Sequence, residues 1–294
     1  MEHYVVHVTK KCNMACRYCY ESDKTSEYSW AEVSKLLEDI ANTNRDKEFT
    51  IEFLGGEPLL AFELVKASVD YLEGRKDIEV PSYTITTNGT ILDDDIIAFL
   101  KANPKVTFAA SLDGHKTMNQ LRLFKPDGKT SGANSHPVVV ANLKRLIAEG
   151  INCNVHMVTH PYNVGFLHDG IKHLYDLGIR AVGVGTVEKT LPLTEEYQSK
   201  FVSELRKVSD AMLGGVMPGL YVDVLCDLKP KSDVRKYVRQ GDKMLAETYG
   251  RTSGDITSTD LYATVSTSSP LGDAIYNLRK TVYEYHQNNL QRRG

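Results

Sequence analysis

The chain has 294 residues, 41% hydrophobic and 25% charged, the balance of an ordinary globular protein, with length for one large α/β domain plus an appendage. Its 35 basic and 38 acidic residues give a net charge of −3, which excludes a general basic field for nucleic acid though not a local patch. No apolar run approaches transmembrane length, no signal-peptide pattern opens the chain, and the 5 cysteines show no pairing pattern, so no membrane partner and a reducing cytoplasm are expected.

Residues 3–9 read as a buried parallel strand. Directly after it comes Cys12-Asn13-Met14-Ala15-Cys16-Arg17-Tyr18-Cys19. Three thiolates this close can hold three irons of a four-iron, four-sulfur cluster and leave the fourth iron without a protein ligand. A structural zinc site would need a fourth ligand, His3 or His7, and a disulfide would leave an odd cysteine. A helix is expected from Ser29, where Ser29 and Glu32 form a capping-box pattern and Val33, Leu36, Leu37 and Ile40 an apolar stripe.

Phe49–Phe53 reads as the second strand, running into Leu54-Gly55-Gly56-Glu57-Pro58. Two glycines let the backbone approach a ligand closely, and a carboxylate beside them can accept from an ammonium group; the same run could be a plain turn. A helix over Leu60–Leu72 precedes a third strand, Ser82–Thr86, which ends in Thr87-Asn88-Gly89-Thr90, by itself a turn or helix-cap pattern. A helix over Asp93–Ala102 and a fourth strand, Val106–Ala110, lead to Ser111-Leu112-Asp113-Gly114, with Arg122 further along. An Arg fork suits a carboxylate, and Ser and Asp can bond ribose hydroxyls. Arg122 could equally be a surface side chain in a Gly- and Lys-rich loop.

Pro137–Glu149 is expected to be helical, with Val138, Val139, Leu143, Leu146 and Ile147 inward. Asn152–Thr159 is strand five, with Cys153 as a small apolar side chain. Phe166–Leu177 is a helix, Ala181–Thr186 strand six, and Thr194 to about Met212 a long helix. His156, His160, His168 and His173 are scattered and read as satisfied or surface residues. Six strand–helix alternations predict a parallel sheet. The Gly- and Pro-rich stretch 214–219 divides the chain into residues 1–217 and an extension, 218–294. In the extension, Leu220–Leu225 and Leu261–Val265 read as short strands, and Ile275, Leu278, Val282 and Tyr285 as one face of a last helix.

The C-x3-C-x2-C spacing, with Tyr18 before the last cysteine, resembles the radical S-adenosylmethionine enzymes over residues 1–215. The resemblance implies an α/β fold, a partial (β/α)6 TIM-like barrel with a small C-terminal extension. It implies one four-iron, four-sulfur cluster on Cys12, Cys16 and Cys19, whose open iron chelates S-adenosylmethionine. Reductive cleavage then yields a 5′-deoxyadenosyl radical that abstracts hydrogen from substrate. Tyr18, Gly55, Gly56, Glu57, Thr87, Asn88, Ser111, Asp113 and Arg122 would bind the cofactor, Glu57 at the methionine amino group and Ser111 with Arg122 at its carboxylate. A flavodoxin- or ferredoxin-like electron donor is implied. Ser-x-Asp-Gly followed by Arg resembles the peptide- and protein-modifying branch, including the sulfatase-maturing enzymes, so a peptide or protein substrate is expected, and with it a separate leader-binding protein unless the extension serves. The extension resembles a SPASM domain that lacks the auxiliary-cluster cysteines. Its Cys226 could return a hydrogen atom to a substrate radical, as in radical epimerases, or be a buried small residue. A modifier of small molecules or nucleotides, and a non-catalytic iron–sulfur protein, are the alternative readings.

Overall fold

A computed structural model describes residues 2–126, 132–187, 194–226, 274–282 and 284, together with the backbone of 233–240 and 243–251. Alternating strands and helices follow the chain as β1 (Glu2–Thr9), α1 (Trp30–Thr43), β2 (Phe49–Gly55), α2 (Phe62–Glu73), β3 (Tyr83–Thr87), α3 (Asp94–Ala102), β4 (Val106–Ser111), α4 (His136–Ala148), β5 (Cys153–Thr159), α5 (Leu167–Asp176), β6 (Ala181–Thr186) and α6 (Glu195–Leu213). A two-residue strand, β7 (Tyr221–Val222), and a helical turn, α7 (Asp223–Cys226), come next, then β8 (Asp233–Gln240) and β9 (Lys243–Arg251).

The strands form one sheet in the order β7-β6-β5-β4-β3-β2-β1-β9-β8. Every pair from β1 to β7 is parallel, as short right-handed βαβ crossovers require. Among the described residues β7 and β1 do not pair, so this α/β barrel stays open. The β8–β9 hairpin adds antiparallel to β1, with His3 opposite Tyr249 and Val6 opposite Ala246. The sheet thus continues past residue 217 at both of its edges.

The sequence dictates the elements locally. Ser29 caps α1 through the complete capping box with Glu32, and Asp93 and Thr194 cap α3 and α6 by accepting from Ile96 N and Tyr197 N. Phe49, Ile51 and Phe53 of β2 and Tyr83 and Ile85 of β3 are buried against the helices, so alternate residues of each strand face the barrel interior.

Three expectations change. Val138 is 40% exposed, because the buried stripe of α4 runs through Val139, Leu143 and Leu146 and its neighbour points about 100° away. Leu220–Leu225 is a strand only at Tyr221–Val222; Asp223 then turns the chain by accepting from Val184 N at 2.9 Å and Val224 N. The β8–β9 hairpin was not expected at all. Of the last helix, residues 274–282 are helical with Ile275 and Val282 buried, while Tyr285 and Leu261–Val265 lie outside the described residues.

Candidate active site

Four loops follow β1, β2, β3 and β4 on the C-terminal face of the sheet, where barrel sites form. Hydrogen bonds tie them into one body. The thiol loop leaves β1 and meets the Gly-Gly-Glu loop through Gly56 N to Thr9 O at 2.9 Å and Glu57 N to Lys11 O at 2.8 Å. Gly55 has φ +141°, and a Cβ there would collide with the Thr9 carbonyl; one on Gly56 would collide with the Lys10 and Lys11 carbonyls. The glycines are therefore required where two stretches of backbone touch each other, a constraint that the ligand-approach argument did not contain.

Glu57 is fully buried. Its carboxylate accepts from Leu59 N at 3.0 Å, Thr87 Oγ1 at 2.6 Å and Asn88 N at 2.7 Å. Burial pushes its pKa up to about 7, with those three donors opposing. Glu57 thus latches the loop after β2 to the loop after β3. Asn88 carries the chain of contacts onward, donating from Nδ2 to Asn13 Oδ1 at 2.7 Å, while Asn13 Nδ2 donates to Thr90 Oγ1 at 2.9 Å.

The loop after β4 closes the other side. Ala15 N and Arg17 N donate to the carbonyls of Leu123 and Leu121 at 2.8 and 2.9 Å, and Lys125 N donates to Asn13 O. Arg122 is thereby held at the thiol loop and is 7% exposed, so it is no surface side chain. Its Nε lies 3.0 Å from Asp113 Oδ1, and its guanidinium carbon 5.3 Å from the centre of the Tyr18 ring. Asp113, also buried, accepts from Tyr18 OH at 2.6 Å and Val158 N at 2.9 Å, and its own N–H donates to Asn119 Oδ1. Tyr18, Asp113 and Arg122 form one buried node in which an ion pair is desolvated together with the phenol that bonds it. Burial, the nearby Asp113 and the Cys16 thiol push the Tyr18 hydroxyl well above its usual value, Arg122 opposing. Ser111 ends β4 half-exposed beside this node.

Cys12, Cys16 and Cys19 are unpaired and half-buried. Burial pushes the Cys12 and Cys16 thiols up, Cys16 to about 11, with Arg122 the main opposing charge at Cys16. Met14 N donates to Cys12 Sγ at 3.3 Å, a bond that favours the thiolate. Among the described residues no three His, Cys, Asp or Glu side chains converge on a single-ion site. Three thiols on one pinned loop, with amide donors and a guanidinium close by, suit a cluster whose irons take one thiolate each, and loading it releases protons.

Cys226 stands apart. β7 pairs with the start of β6, at the opposite edge of the parallel sheet from β1. The thiol is half-buried against the core and accepts from Val222 N at 3.4 Å. Asn13 and Asn119 were missed by the sequence reading. Both are turn-type residues inside or beside the motifs, a weak signal, and only their contacts reveal their work.

An open parallel barrel with a three-thiol loop at its strand ends defines a cluster-bearing α/β-barrel enzyme. The family model of the radical SAM superfamily matches residues 6–169, and the chain belongs to that superfamily. It is accordingly an enzyme, and its cofactors are a four-iron, four-sulfur cluster and S-adenosylmethionine. It is 27% identical over 252 residues to an uncharacterised protein of Methanocaldococcus jannaschii, covering 85% of this chain and 83% of that one. It is 35% identical over 101 residues to GTP 3′,8-cyclase of Chlorobaculum tepidum, 32% of this chain and 28% of that one. The fold is similar to that of anSMEcpe with bound AdoMet, at TM-score 0.66 and 18% identity over 76% of this chain and 61% of that one; the same protein is solved with a Cp18Cys peptide. The chain thus spans about three fifths of that solved structure. Among the described residues no helix is long and apolar enough to cross a membrane.

Proposed function

We propose that Cys12, Cys16 and Cys19 hold the cluster and that the loops after β2, β3 and β4 hold S-adenosylmethionine against it, for radical modification of a peptide or protein. The observation that carries this reading is the bonding of four strand-end loops into one body around the thiols. When bound, the two cofactors together supply an electron and a carbon-centred radical able to abstract hydrogen. The chain's residues bind, orient and exclude water. Gly55, Gly56 and Glu57 fix the loop that faces the methionine amino group, and Thr87 and Asn88 brace it from behind. Arg122, anchored through Nε on Asp113, offers its terminal nitrogens to the carboxylate, with Ser111 beside it. Tyr18 and Asp113 hold that guanidinium in place. We retain residues 1–217 as the cofactor-handling part and 218–294 as a substrate-handling extension, Cys226 as a candidate hydrogen donor, a flavodoxin- or ferredoxin-like electron donor, a separate leader-binding protein, and a cytoplasmic setting.

Support for a peptide comes from the likeness to anSMEcpe, which is solved with one. A second reading, modification of a nucleotide or small molecule, is favoured by the local identity to GTP 3′,8-cyclase. The test of the shared chemistry is anaerobic reconstitution with S-adenosylmethionine and a reductant, scored for 5′-deoxyadenosine. Cys16→Ala is expected to lose both the cluster absorbance and the product. Undiminished product from that variant would sink the assignment.

A further inference from the structure

Three histidines with no part in the site above come from three neighbouring segments: His115 in the loop after β4, His136 at the start of α4 and His173 on α5. Each is half-buried. The segments are clamped together. Asn134 donates from Nδ2 to Lys116 O at 2.9 Å and accepts from His136 N at 2.9 Å, which ties the loop after β4 to the start of α4. The same loop presses on α5 so closely that a Cβ on Gly114 would lie 2.8 Å from Gly170 Cα. The His115 ring meets Phe166, just before α5, at 6.1 Å between centres.

His136 and His173 meet Nε2 to Nε2 at 3.3 Å. That is long for a hydrogen bond. Two nitrogens each about 2.0–2.1 Å from a tetrahedral zinc ion lie about 3.3–3.4 Å from each other. The ring centres are 5.3 Å apart, farther than the nitrogens, so both Nε2 atoms point inward to one place. A shared zinc ion would hold the centres about 5.2 Å apart, each centre sitting about 1.2 Å behind its nitrogen. Burial, then the charges of His173, His115 and Lys116, brings the His136 pKa down to about 4. Burial and the charges of His115 and Lys144 lower that of His173, Asp176 opposing. Both imidazoles are therefore neutral at pH 7, the form that ligates a metal. Among the described residues no third imidazole, carboxylate or thiol converges with the pair.

We propose that His136 and His173 form a divalent-cation site that takes zinc, with water in its remaining positions. The site is independent of the functional reading above, and the thiol loop takes no part in it. The ion acts as a clasp. Ser135, next to His136, donates from its N–H to Arg122 O at 3.1 Å, and its hydroxyl accepts from Asn119 Nδ2 at 3.1 Å. Asn119 also accepts from Asp113 N. Locking the start of α4 onto α5 therefore braces the Asp113–Arg122 pair from behind. Lys116 and Lys144 oppose a cation here and Asp176 favours one. With two protein ligands instead of four, the affinity belongs in the micromolar range.

The experiment is an anaerobic calorimetric titration of zinc chloride into the untagged, cluster-loaded full chain, with the cluster absorbance followed to show that it stays intact. A parallel series uses the cluster-free chain carrying Cys12→Ser, Cys16→Ser and Cys19→Ser together, in which those thiolates cannot compete. One zinc per chain is expected in both series. His136→Gln and His173→Gln should each weaken binding by at least about tenfold, the least that disturbing a ligand's own partners costs. His168→Gln, at a histidine paired with Asp169, should bind as the wild type does. Zinc should raise the thermal midpoint of the wild type and leave those of His136→Gln and His173→Gln unmoved. Equal midpoints of all chains in chelator show that the variants fold. No zinc bound in either series, or affinity unchanged in both His136→Gln and His173→Gln, would overturn the proposal and leave the pair as a hydrogen bond.

Discussion

Replacing Glu57 by Gln changes one atom of a buried carboxylate and asks what that carboxylate holds. Three donors converge on it, Leu59 N and Thr87 Oγ1 on Oε1 and Asn88 N on Oε2. A glutamine can keep its oxygen on the two-donor side, but its NH2 then faces the Asn88 N–H. One charge-assisted bond, worth about 1.5–3 kcal/mol, is lost, and a buried donor is stranded at about 1–3 kcal/mol. The two terms overlap, so the expected cost is about 2–4 kcal/mol. The sign with pH follows from linkage. A carboxyl whose pKa rises from 4.5 to about 7 on folding binds more protons folded than unfolded in that interval, so wild-type stability falls as pH rises through it. Glutamine does not titrate, and every other group is common to both proteins. The gap between wild type and Glu57→Gln should therefore narrow from pH 4.5 to pH 7, by at most about 3 kcal/mol at about 1.4 kcal/mol per pH unit, and stay level above. The assay is urea unfolding of the cluster-free chain under reducing conditions at several pH values. A gap that widens with pH would show that the three donors outweigh burial, and a gap under about 1 kcal/mol above pH 7, where Glu57 is ionised, would refute the latch.

Tyr18→Phe removes the phenol that donates to Asp113; urea unfolding should show a loss of about 1.5–3 kcal/mol, and an unchanged midpoint would mean that Arg122 alone satisfies the carboxylate. Gly56→Ala places a methyl group on two carbonyl oxygens, so soluble yield and thermal midpoint should fall sharply, while a wild-type midpoint would show that the loops after β1 and β2 separate easily. Cys226→Ala, assayed with a candidate peptide in deuterated solvent, should lose solvent deuterium incorporation if the thiol donates hydrogen; product formed at full rate marks Cys226 as structural.

Much of this molecule is legible in its sequence. The alternation of Phe49, Ile51 and Phe53 with polar neighbours, and the Ser29–Glu32 pair, place β2 and α1 within a residue or two, because local propensity and burial agree there. The thiol spacing named the chemistry. What could not be read is direction. Glu57 follows two glycines whatever its carboxylate accepts from, and only tertiary contacts reveal Thr87 and Asn88 among its donors. Arg122 sits in a stretch of loop composition, and its burial comes from backbone bonds to the thiol loop that no period encodes. The β8–β9 hairpin did carry a signal, Gly241-Asp242 between runs rich in Val, Tyr, Met and Leu, a known two-residue hairpin pattern. Lys and Arg interrupt the alternation of those runs and obscure that signal. Thr84 and Thr86, Asn154 and His156, and Gly183 and Gly185 alternate with the buried positions of β3, β5 and β6. Polar alternation looks the same whether it faces bulk water or a cavity.

The pairing of β9 with β1 joins His3 to Tyr249, almost the whole length of the chain apart. During synthesis, β1 emerges first and its outer edge then waits for the ribosome to deliver some 240 further residues, a wait on the order of 10–50 s at ordinary elongation rates. Throughout that time a row of unsatisfied amides and carbonyls runs beside the thiol loop, open to the wrong strand of a neighbouring nascent chain. Chains halted before residue 243 would keep that edge for good. Chaperone dependence should therefore concentrate in the last stage of translation, and slowing elongation before the hairpin should lower the soluble fraction.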